Sequence, residues 1–185
     1  MKSIFYNVLL ALVLLMGSSS AADAQPAVHT GKLAVIGDSY VENHKRPYTE
    51  AWHYLMAQRL GLDYQNLGKN GSSVAFDRTK EWCGQSLLQR YRQLDPKADY
   101  VLIFGGHNDA WKCGNRRDSL RMFTDSLRTL ISGIRQHCPK ARLGYVSPWN
   151  NERVEFKQIG KIIRKVCHEM NVPLLDNYRK DCPIH

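Results

Sequence analysis

No G-x-G-x-x-G or Walker-type loop follows any apolar run in this sequence, which argues against a flavodoxin-like nucleotide binder. No basic run is long enough to read as a nucleic-acid-binding arm. The 26 Lys and Arg, against 17 Asp and Glu, are scattered through helical segments. The net charge of +9 therefore reads as a solvated basic surface, and no nucleic-acid partner is expected, while an anionic substrate stays open. Metal ligands are short of a set: Cys182-x-x-His185 and Cys167-His168 have no second CxxC or HxxxH partner, so no metal is expected. Internal repeats, linkers and low-complexity segments are absent after the N-terminal region.

A long apolar run is also missing. Lys2 supplies a positive n-region, residues 4–16 are mostly apolar but too short to span a bilayer comfortably, and Ala22-Asp23-Ala24 fits small-x-small cleavage. The expectation is a signal peptide over residues 1–24, a mature start at Gln25, and a protein exported to the periplasm or medium without a stable membrane anchor. Lys2 and Asp23 cancel, so the mature part keeps +9. Export permits disulfides, and five cysteines leave at least one thiol unpaired. Cys83 and Cys113 fall in loops expected on one rim and are the preferred pair, although spacing does not fix connectivity.

What remains, 25–185, suits one domain. Its organising stretch is Lys32-Leu33-Ala34-Val35-Ile36-Gly37-Asp38-Ser39: an aliphatic run of buried-strand type, a glycine that turns the chain, then an acid and a serine. Helical spacing follows over residues 48–60, then a short strand over 63–67 and a flexible loop, 68–73. Residues 87–94 read as helix, and residues 100–104 as the clearest buried strand, running into the loop Gly105-Gly106-His107-Asn108-Asp109. A long helix capped by Asp118 or Ser119 runs to about His137, followed by a strand over 142–146. A helix striped by Phe156, Ile159, Ile162, Ile163 and Val166 ends near Asn171, before a fifth strand over 172–175. Strands alternating with helices imply an α/β fold, a parallel sheet covered on both faces.

In such a sheet the loops holding Ser39, Gly71 and Asn108 leave one edge and converge. Acyl transfer needs a nucleophile and donors aimed at the developing oxyanion. A serine hydroxyl, a glycine N–H and an asparagine amide suffice. Singly, each is ordinary turn or cap chemistry. Their joint placement carries the argument.

Gly37-Asp38-Ser39, the Asn66-Leu67-Gly68-x-x-Gly71 loop and Gly106-His107-Asn108-Asp109 resemble the first three blocks of the SGNH/GDSL hydrolases, in order and at comparable spacing, over residues 31–176. The resemblance implies a three-layer α/β/α fold with a flavodoxin-like five-stranded parallel sheet. It also implies ester hydrolysis through a serine acyl-enzyme, without metal or other cofactor. By it Ser39 is the nucleophile, and the oxyanion hole comprises the Ser39 and Gly71 N–H groups and the Asn108 side chain. No G-x-S-x-G elbow exists to support an α/β-hydrolase instead.

The fourth block departs from the family's Asp-x-x-His: Asp181-Cys182-Pro183-Ile184-His185 is one residue too long, and no final helix follows. Either His185 is the base despite this spacing, or the base and the last helix lie beyond it. The second reading is favoured, because a sheet without its last covering helix exposes apolar surface. His107 reads as a loop residue near substrate and His44 as lining the pocket; His53, His137 and His168 read as exposed or cap-type helix residues. Tyr40, Trp82, Trp111 and Trp149 fall on the expected rim, where rings stack on sugar or acyl groups or simply close the rim by packing. The chain thus reads as an exported serine hydrolase of a small or carbohydrate-linked ester. The alternatives are a non-catalytic carbohydrate- or ligand-binding domain of the same fold, or a hydrolase chain that stops before its base.

Overall fold

The computed structural model describes residues 31–77, 85–149 and 151–178. Expectations for the signal peptide, Trp82, Cys83, Asp181, Cys182 and His185 lie outside the described residues.

The aliphatic run forms β1 (Lys32–Gly37), and Ser39 opens a one-turn helix, α1 (Ser39–Glu42). Residues 48–60 do not form one helix: a 3-10 turn, Tyr48–Glu50, is separated from α2 (Trp52–Arg59) by Ala51, whose ψ of 139° is extended. β2 (Asp63–Gly68) follows. Residues 87–94 likewise divide, into α3 (Leu87–Arg90) and a 3-10 turn, Tyr91–Gln93. β3 (Tyr100–Phe104) matches its expected bounds, but the expected loop after it does not persist, because His107 already begins α4 (His107–Cys113).

The long helix α5 (Arg117–His137) starts one residue before the expected caps, at an Arg116 N-cap that makes no side-chain bond. Its stripe of Phe123, Leu127, Leu130, Ile131 and Ile134 is buried, each such side chain contributing roughly 1.5–3 kcal/mol. β4 (Arg142–Val146), α6 (Val154–Glu169) and a two-residue β5 (Leu174–Leu175) complete the order. Asn171 takes φ 49° past α6, the left-handed conformation that asparagine tolerates at a helix end.

All pairings are parallel, in the order β2-β1-β3-β4-β5. Alternation along β1 sends Ala34 and Ile36 into the core shared with α4, α5 and α6, and Leu33 and Val35 into the core under α1 and α2. The second face is not bare: Leu102, Phe104 and Val146 are buried, and Tyr40, Trp52, Tyr64, Tyr100 and Trp149 pack against that core. This is the α/β architecture expected.

One histidine departs from expectation here. His53 is fully buried rather than exposed, because α2 turns it inward to the Tyr64 hydroxyl, 2.5 Å from Nδ1. Burial depresses its pKa to about 4, partly opposed by the nearby Tyr40 and Val41 carbonyls. Cys113 is a free thiol whose Sγ is turned into the core, where it donates to the Ser119 carbonyl at 3.4 Å.

The seat of α1 is the backbone of Gly68. A Cβ there would lie 2.1 Å from Glu42 N and 2.5 Å from Val41 C. Gly68→Ala should therefore destabilise the fold by about 3 kcal/mol in denaturant titration; unchanged stability would contradict this packing.

Candidate active site

The strand ends set the site. Gly37 pairs with Gly68 on one side and Phe104 on the other, and Phe104 with Val146, so four loops leave the sheet at one level. In the order 2-1-3, the connections diverge between β1 and β3, which is where open α/β sheets take ligands. Ser39 and Asn108 follow those two strands.

Ser39 sits on a tightly enclosed turn. A Cβ on Gly37 would stand 2.4 Å from the Val41 side chain and 2.8 Å from the Phe104 carbonyl, so only glycine admits this approach. Asp38 caps α1, its Oδ1 accepting from Tyr40 N at 3.0 Å, while its Oδ2 is buried without a partner. Burial raises the Asp38 pKa to about 7, against the bond from Tyr40 N, with the Asp109 charge adding to the rise. Ser39 itself is buried, 8% exposed, on the first residue of α1 rather than on an open loop.

The loop after β2 turns at Gly71, whose φ of 71° suits a residue without Cβ. Gly106, with φ 108°, turns the chain into α4. The amide of Asn108 donates through Nδ2 to the Ser72 carbonyl at 2.8 Å, tying α4 to the Gly71 loop. Asp109, fully buried, accepts from Val74 N at 2.8 Å and Ala75 N at 3.0 Å in the same loop. Its desolvation raises the carboxyl to about 6, although these bonds favour the charged form. His107 and Asn108 do face different neighbours as expected, but through helical rather than extended geometry.

His107 meets Tyr40 and Phe156 edge-on, at 5.4 and 5.0 Å between ring centroids. Its Nε2 accepts from Trp111 Nε1 at 3.4 Å, and its Nδ1 is buried without a partner. Burial, then the charge of His44, lowers its pKa. His44 stands 4.7 Å from the Tyr40 ring, within a run of three left-handed residues, Asn43, His44 and Lys45. Trp149 packs on Tyr40 at 4.0 Å, and the half-exposed Trp111 carries Arg153 over its ring.

The structure thus brings Ser39, Gly71 and Asn108 to one edge, with Tyr40, His44, His107 and Trp149 beside them. Sequence reasoning missed Asp109 as a loop anchor, although it lies in the Gly106–Asp109 block, and missed Arg90 altogether. Arg90 falls three residues after Leu87 and four before Leu94, on the face that those leucines bury. An arginine in the middle of an apolar stripe was the available signal.

The family model of the GDSL-like lipase/acylhydrolases matches residues 35–183. Solved structures share the fold. A protein from Lactobacillus plantarum is 20% identical, with TM-score 0.66 over 81% of this chain and 78% of that one. A family two carbohydrate esterase from Clostridium thermocellum, in complex with cellohexaose, is 16% identical, with TM-score 0.64 over 88% and 59%. A catalytic mutant of an acetylxylan esterase from Geobacillus stearothermophilus is 22% identical, with TM-score 0.58 over 79% and 75%. A search of curated proteins returns no match. The chain belongs to the GDSL-like lipase/acylhydrolase family, and its class is that of ester-hydrolysing serine hydrolases.

Asp38 gives this site a pH signature. Its folded pKa of about 7 stands above the ordinary 3.8, so the folded state binds the proton more tightly. Its contribution is present in full below about pH 4 and is lost as pH rises to about 7. Asp38→Asn carries no such charge. The variant should gain on the wild type by roughly 2–4 kcal/mol between pH 4 and 7.5, as read by denaturant unfolding. A pH-independent difference would contradict the burial of this carboxyl.

Proposed function

We propose that Ser39 is the nucleophile of an esterase whose oxyanion hole is formed by the Ser39 and Gly71 N–H groups and the Asn108 amide. The observation that carries this reading is the bond from Asn108 Nδ2 to the Ser72 carbonyl, which joins the two outer donors next to the nucleophile turn. An amide NH₂ carries two protons, and in this reading the second serves the substrate. Ser39 Oγ attacks the ester carbonyl and passes its proton to a base, the carbonyl oxygen becoming the oxyanion. Collapse expels the alcohol, which takes the proton, and water then releases the acid by the same steps in reverse.

The base is assigned to His185, the histidine of the block that resembles the family's Asp-x-x-His. His107 is set aside, because its Nε2 already accepts from Trp111 and its Nδ1 is buried. The substrate is proposed to be a small or carbohydrate-linked ester, such as an O-acetylated sugar. The ring pair Tyr40–Trp149 beside Ser39 and the half-exposed Trp111 support it, together with the carbohydrate esterases of this fold. Export after cleavage at Ala24 would bring the enzyme to such polymers.

Hydrolysis of p-nitrophenyl acetate tests the site. Ser39→Ala should lower kcat by at least about 10³-fold and Asn108→Ala by about 10²–10³-fold. Turnover that survives Ser39→Ala would overturn the nucleophile. His185→Ala should lower kcat comparably in the same assay, and turnover that survives it would overturn this base. For the substrate, Trp149→Ala should raise KM on acetylated xylo-oligosaccharide about tenfold while leaving KM for p-nitrophenyl acetate within about threefold, a stacked ring being worth up to about 1.5 kcal/mol. Equal effects on both esters would remove the sugar from the reading.

A further inference from the structure

Arg90 is 6% exposed and lies at the end of α3, outside the residues that touch substrate in the proposal above. Its guanidinium reaches the ends of two strands and the loop between the oxyanion donors. Nη2 donates to the Gly37 carbonyl and to Ser72 Oγ, both at 3.1 Å; Nη1 donates to the Leu67 carbonyl at 3.0 Å; Nε donates to the Gln85 carbonyl at 3.2 Å. All four acceptors are neutral oxygens. Burial lowers its pKa, with Glu42 opposing, yet a guanidinium keeps its proton at any pH the fold survives.

A cation held among neutral oxygens is a poor way to gain stability, since desolvating it is expensive and no carboxylate offsets that directly. It does fix geometry. The Gly37 carbonyl precedes Asp38 and Ser39 by one peptide, and Ser72 follows Gly71 and supplies the carbonyl that holds Asn108. One planar group with a rigid fork of donors therefore spans the nucleophile turn and the oxyanion loop. We infer that Arg90 is a positioning residue for ester hydrolysis: it sets the distance between the Ser39 turn and the Gly71–Asn108 donors through Gly37 and Ser72. Displacements of about 1 Å between reacting groups lower rates by about 10²-fold, so the effect belongs in kcat.

The inference rests on the nucleophile reading, and the experiment keeps the two apart. Wild type, Arg90→Lys and Ser72→Ala are compared by thermal melting, by kcat and KM on p-nitrophenyl acetate, and by covalent labelling of Ser39 with a fluorophosphonate. Lysine keeps the charge and loses the fork. The expected result is a folded Arg90→Lys protein with kcat down about 30–100-fold, KM within about threefold, and Ser39 labelling slowed in parallel. Ser72→Ala removes one acceptor and should lower kcat about five- to tenfold with no loss of fold, which decides the matter should Arg90→Lys not fold. Wild type labelled at Ser39, with kcat unchanged in a folded Arg90→Lys or in Ser72→Ala, overturns the positioning role alone. Wild type that is not labelled at Ser39 overturns the nucleophile reading and this inference with it.

Discussion

The hydrogen-bond ladder of a parallel sheet ends where its strands end, and the residues proposed for catalysis, Ser39, Gly71 and Asn108, are all attached beyond that point. Gly37, Gly68 and Phe104 leave the sheet in register, but register alone would let their loops move independently. What couples them is a set of side chains bonded to backbone: Arg90 to Gly37 and Leu67, Asn66 to Val41, Asn108 to Ser72, and Asp109 to Val74 and Ala75. Each buried donor or acceptor that lost its partner would cost about 1–3 kcal/mol, so the loops are held as one body. The site's precision rests on that coupling.

The same coupling explains an otherwise awkward electrostatic pattern. Asp38 and Asp109 are both buried, each raised by desolvation, and the charge of Asp109 adds to the rise at Asp38. Charged carboxylates are the better acceptors of backbone N–H, whereas protonated ones are easier to bury. With values of about 7 and about 6, these two groups sit near the balance of those demands. The protein thus carries stability that declines towards neutral pH in the very turns that would hold substrate. That is the pattern of a site built for geometry rather than for stability.

Much of this was legible in the residues. Apolar runs, ended by glycine at β1 and β3 and by Ser147-Pro148 at β4, located these strands almost to the residue, because buried parallel strands have little freedom in composition. Three short blocks located Ser39, Gly71 and Asn108 beyond the strand ends of one edge, although Ser39 and Asn108 fall in the first turns of helices rather than on loops. The errors have physical causes. Residues 48–60 and 87–94 have helical spacing but break in the structure, since short amphipathic segments take their bounds from tertiary contact rather than propensity. His53 looked like a surface histidine because its partner, the Tyr64 hydroxyl, comes from the neighbouring strand β2. Arg90 was hidden for the same reason: apart from the Gln85 carbonyl, its acceptors are the Gly37 and Leu67 carbonyls and the Ser72 hydroxyl, all distant in sequence, and no motif records a carbonyl.

The account's central claim is that Ser39, Gly71 and Asn108 act on one carbonyl carbon. The most direct measurement is a crystal structure of the protein after reaction with an alkyl fluorophosphonate. The account predicts a phosphorus–oxygen bond to Ser39 Oγ, with the phosphoryl oxygen about 3 Å from both Gly71 N and Asn108 Nδ2. A phosphonate on another residue, or a phosphoryl oxygen directed away from Asn108, would contradict it.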